Sequence, residues 1–193
     1  MVRDITLSAS GLLSSKIGGP SVFPYQPNGV WELPYEKDSD TWAMSTGEDR
    51  YRRGIYTFIR RAAPYPAMTV FDATSREYCT PRRSHTDTPL QALTTLNDPA
   101  FFEAAQAMAR RILKEGGSST KSRIDYGFML ATSRHPQGTE LDMLLTAFDT
   151  ERKYFAGHVN EATAIAAKPD AELAAWTMLS RGLLNLDETL TRH

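Results

Sequence analysis

The chain has 193 residues, carries 22 lysines and arginines against 23 acids for a formal net charge of −1, and is 41% hydrophobic. That length suits one domain with a real core, the apolar fraction excludes a disordered chain, and the near-zero charge gives no overall pull toward nucleic acid or anionic membrane. Its single cysteine excludes an internal disulfide, a four-cysteine zinc site, a Cys-x-x-Cys redox pair and covalent haem attachment.

Residues 3–14 read as a short helix with Ile5, Leu7, Leu12 and Leu13 as its apolar positions. They lack the unbroken apolar stretch of a secretory signal, and no later run approaches the ~18 apolar residues of a membrane span. "KIGGPSVFPYQPNGVWELPYEKDSD" follows, with three glycines and four prolines. Proline removes a donor and glycine opens unusual φ, so regular structure is not expected. Phe23, Tyr25, Trp31 and Tyr35 argue against a loose linker; they predict an extended strap held on the body by its rings. In "EDRYRRGIYTFIRRAA", Tyr51, Ile55, Phe58 and Ile59 fall at helical spacing, but Gly54 and the run of β-formers leave helix and strand both open. "PYPAMTVFDATSREYC" reads as irregular, with a turn of helix from Ser75.

The remaining signals are helical. Thr88 as N-cap, Pro89 at the first position and Gln91 three residues after the cap form a capping box, and Asn97 ends that helix. Asp98 and Pro99 start the next, Gly116 stops it, and Phe101, Ala105, Met108 and Ile112 make its stripe. A helix over about 120–133 carries Ile124, Phe128 and Ala131 and stops at "HPQG". Another starts at Thr139 with Asp142 three residues on; Leu141, Leu144, Leu145, Phe148 and Phe155 define its apolar side. A short helix around 160–167 precedes a last one from Asp170 to about Asn185, with Leu173, Trp176, Leu179 and Leu183 facing the core. The expected fold is all-α: an irregular helical bundle with an extended Gly/Pro/aromatic strap in the N-terminal third. It forms a single domain over 1–193, divided into helix plus strap (1–47), a basic irregular stretch (48–87) and a helical bundle (88–193).

Three stretches, "SGLLSSKIGGPSVFPYQPNGVWE", "YRRGIYTFIRRAAPYPAMTVFDATSREYCTPRRSHTDTPLQALTTLNDP" and "AAWTMLSRGLLNLDETLTR", resemble a planctomycete-type family of unknown function. Its members are large exported proteins. They carry a cytochrome c domain with a haem-attachment motif, a second domain of unknown function, sometimes a carbohydrate-binding β-sandwich, and this domain last. The resemblance implies an exported, periplasmic or cell-envelope location and a haem-binding domain elsewhere in the parent, with no cofactor in this chain. It carries over no catalytic residue. The family's domain is longer at its N-terminus, so the chain is expected to be a C-terminal piece of a larger protein.

The chemistry-bearing residues gather in one stretch. Between Arg50 and Arg83 stand eight arginines, opposed only by Asp72 and Glu77. Arg60, Arg61, Arg76, Arg82 and Arg83 are candidates for binding an anionic group, because the planar guanidinium fork suits carboxylate, sulfate or phosphate. Alternatively they clamp the irregular half to acids, for which the later helices supply Glu103, Glu140, Asp142, Asp187 and Glu188. His85 with Asp72 is an acid–base candidate, although no Gly-x-Ser-x-Gly elbow accompanies it. Cys79 reads either as a thiol activated by neighbouring arginines or as a small buried residue beside Tyr78. The four histidines show no metal-ligand spacing. Tyr51, Tyr56 and Phe58 are able to stack on bases, but the overall charge and the exported context oppose a nucleic-acid partner. Two functions follow: a non-catalytic helical interaction or scaffold module whose partners are the preceding domains of its parent and an anionic glycan, or part of an enzyme acting on an extracellular polyanionic polysaccharide.

Overall fold

The computed structural model describes residues 1–30, 42–60, 63–75, 77–82 and 86–191. Among them are nine α-helices and no strand; the one β-type contact is an isolated parallel bridge between Val22 and Thr57. The all-α expectation holds. Among the described residues no helix is long and apolar enough to cross a membrane. The chain forms two compact units, one of Met1 with residues 13–94 and one of residues 2–12 with 95–193.

The second unit is a helical bundle. It contains α1 (Val2–Ser10), the end of α3 (Pro89–Asn97), α4 (Pro99–Glu115), α5 (Thr120–Thr132), α6 (Gly138–Gly157), α7 (Val159–Ala166), α8 (Ala171–Leu184) and α9 (Asp187–Leu190). Helix α8 is the centre, packed on α4, α5, α6, α7 and α9. Asp170 caps it, accepting from the Leu173 N–H at 2.9 Å. Leu173, Trp176, Leu179 and Leu183 are all buried, as their spacing predicted. The Trp176 ring lies 4.3 Å from that of Phe148 on α6, and each such large side chain is worth about 1.5–3 kcal/mol of burial. On α4 the stripe Phe101, Ala105, Met108 and Ile112 is buried, and Asp98 accepts from the Ala100 N–H at 2.8 Å.

Helix α5 matches its expected span, while the start of α6 differs from expectation. Ser133, in the left-handed region at φ 67°, ends α5 before "HPQG" is reached. Helix α6 starts at Gly138, not Thr139, with Gln137 as N-cap; the Glu140 carboxylate accepts from the Gln137 N–H at 2.7 Å. An acid three residues beyond the cap neutralises an otherwise orphaned donor, and Glu140 takes the part expected of Asp142. Helix α1 is also shorter than expected. Gly11, at φ 78°, turns the chain out of the helix, and Arg111 of α4 closes that end by donating to the Ser8 and Ala9 carbonyls at 3.2 and 3.0 Å. Leu12 and Leu13 therefore follow the helix rather than extend it.

The first unit has little regular structure. Its elements are two 3₁₀ turns (Gly47–Tyr51 and Gly54–Tyr56), α2 (Pro66–Val70) and the start of α3. The ambiguous stretch 48–63 is thus neither helix nor strand in its described part. Extended backbone at Arg52 interrupts the helical spacing, and only Thr57 pairs in β fashion, where the Val22 N–H donates to Tyr56 O at 2.8 Å and the Phe58 N–H to Val22 O at 2.9 Å. Ser75, where a helical turn was expected, is not helical; the helix of this stretch is α2, which the irregular reading did not anticipate, and there Pro66 occupies the first turn without losing a bond.

The strap is held by rings. Phe23 packs edge-on to Trp42 at 5.0 Å and stacks on Phe58 at 5.2 Å, and Trp42 stacks on Tyr65 at 5.9 Å. Polar tips finish the job: Trp42 Nε1 donates to Pro24 O at 2.8 Å, and the Tyr65 hydroxyl to Tyr25 O at 2.9 Å. Trp31 and Tyr35, also expected to anchor the strap, lie outside the described residues.

Candidate functional site

Asp72 sits just after α2 in the left-handed region, at φ 56°, which aspartate tolerates better than most residues. Its Oδ2 accepts from the Thr86 N–H and the Thr86 hydroxyl, both at 2.8 Å, and from Gln91 Nε2 at 3.4 Å. Gln91 is buried at 5% exposure. Its Nε2 also donates to Val70 O at 2.9 Å and to Thr86 Oγ1 at 3.1 Å.

The predicted capping box is present on the other side of the same glutamine. Gln91 N–H donates to Thr88 Oγ1 at 3.3 Å and Thr88 N–H to Gln91 Oε1 at 3.1 Å. Helix capping therefore does not exhaust the role of Gln91. The amide of Gln91 caps with its oxygen and, with its nitrogen, fastens the end of α2 to the start of α3. The result is a clasp that draws residues 72 and 86 together at the base of the intervening loop.

In the loop between residues 72 and 86, residues 74, 75 and 77–82 are exposed. Cys79 is exposed, which removes the reading of a small buried residue, and Tyr78 is 72% exposed. Arg82 is exposed on the same segment and Arg60 is half-buried near Thr57. Arg61, Arg76, Arg83 and His85 lie outside the described residues, as does the histidine half of the His85–Asp72 pair.

An arginine not among these candidates dominates the first unit. Arg52 is 1% exposed. Its guanidinium donates to Lys16 O and Pro20 O, each at 3.3 Å, and to Gly18 O. It also stacks 3.8 Å above the Tyr56 ring, whose hydroxyl accepts from the Gly18 N–H at 3.0 Å. A glycine–proline turn cannot satisfy its own carbonyls through regular structure; here a buried planar donor does so from outside. The signal in the sequence was slight: an aromatic four residues after an arginine, with "IGGP" in need of donors.

In the second unit Arg134 is likewise engaged in structure. It donates to both Glu140 oxygens at 2.7 and 2.8 Å and to both Glu188 oxygens at 2.7 and 2.8 Å, and lies 4.8 Å from the Phe128 ring centre. It holds the Glu140 carboxyl down at about 2 and lowers that of Glu188. Two of the acids proposed as partners for the basic stretch are thus engaged within their own unit. Nearby, His135 Nδ1 meets Asp125 at 2.8 Å on the surface. Among the described residues no group of three His, Cys, Asp or Glu side chains is placed to hold a metal ion.

These features define an all-α domain in which polar side chains that resemble chemistry in the sequence act as fasteners between backbone segments. The chain belongs to the family described as PSD1, protein of unknown function (DUF1553), whose model matches residues 1–148. No curated protein and no solved structure matches it.

Proposed function

We propose that this domain is a non-catalytic helical interaction module, the scaffold portion of a larger, exported, haem-associated protein. The observation that carries this reading is the commitment of Asp72. The one described member of the acid–base pair has an oxygen that accepts three donors, two of them from Thr86 and one from a buried glutamine. Donors on a carboxylate stabilise its charged form and weaken it as a base, so such an aspartate suits a fixed joint better than proton transfer. The exposed Arg82 supplies a weak anion-binding point for a glycan or an acidic partner domain, with Arg60, Arg61, Arg76 and Arg83 as further candidates from the sequence. Haem would sit in a preceding domain of the parent.

The test has two arms. The purified chain is incubated with sulfated and carboxylated polysaccharides, and reducing ends are measured alongside Asp72→Asn. The expected result is no turnover by either protein and a lower melting temperature for Asp72→Asn. Depolymerisation that Asp72→Asn abolishes while keeping its fold would establish the enzyme reading instead. In the second arm, calorimetric titration against the parent's haem-binding domain should give saturable binding; its absence would remove the scaffold role.

A further inference from the structure

We draw no further inference here: the strongest candidate, the exposed Ile17 at the tip of the loop that Arg52 fastens in the first unit, is an apolar tip with nothing in the structure to show what covers it.

Discussion

Gly127 lies inside α5, where alanine ordinarily improves a helix by about 1 kcal/mol. The surroundings oppose that gain. A β-carbon built on Gly127 would stand 2.7 Å from Ile112 Cδ1, 3.3 Å from Ile112 Cγ1 and 3.5 Å from Leu183 Cδ1. Ile112 is fully buried and has little room to turn aside. Forcing a methyl into such a core costs about 1–3 kcal/mol, so the clash outweighs the propensity gain and Gly127→Ala should destabilise by about 1 kcal/mol net. The offending atom is a single methyl, and Ile112→Val deletes it at a cost of about 1 kcal/mol on its own. In the double variant the new methyl occupies the vacated space and the propensity gain remains, so stability should return to within about 0.5 kcal/mol of wild type. Urea denaturation followed by far-ultraviolet circular dichroism measures all four proteins. If Gly127→Ala proves more stable than wild type, or if the two single effects simply add, the close approach of α4 and α5 does not govern this position.

Other outcomes follow from the polar fasteners. Arg52→Met should lower stability by about 3 kcal/mol, because three part-buried carbonyls lose the charged donor of a buried side chain, and Arg52→Lys should recover little of it; a lysine variant equal to wild type in thermal melts would show that the fork geometry is immaterial. Thr88→Ala should cost about 1 kcal/mol as an ordinary lost cap, while Gln91→Ala, which breaks cap and clasp together, should cost more; the reverse order in chemical denaturation would deny the clasp. The depressed Glu140 and Glu188 carboxyls contribute stability that is complete above their unfolded value of about 4.3 and is lost as pH falls toward the folded value of about 2 for Glu140. The melting-temperature gap between wild type and Arg134→Ala should therefore shrink across that window, and a gap independent of pH would mean the network adds no linked stability. Mutating Arg82 and Arg83 together to alanine should leave the melting temperature unchanged and abolish retention on a sulfated-glycan column; retained binding would take the anion surface away from this loop.

The bundle was readable along the chain because its determinants are local. Asp98, Asp170 and the Thr88/Gln91 box announce helix starts through bonds made within three residues, and the stripes on α4 and α8 repeat at the helical period. Where the start of α6 was missed, a competing local choice had won: Glu140 reached Gln137 before Asp142 came into play.

The first unit was legible only as irregular and aromatic. Its order comes from bonds between residues 14 to 40 positions apart: Arg52 with the glycine–proline turn, Tyr65 with Tyr25, Asp72 with Thr86. Such pairings follow no periodicity, because an irregular backbone presents its carbonyls wherever the chain happens to turn. The sequence alone established an all-α chain, the positions of its capped helices and which of their faces are apolar. Only the tertiary structure decided which arginine is buried, that Asp72 is a joint, and that Cys79 faces solvent, since each depends on which distant backbone groups are left needing a partner once the helices have formed.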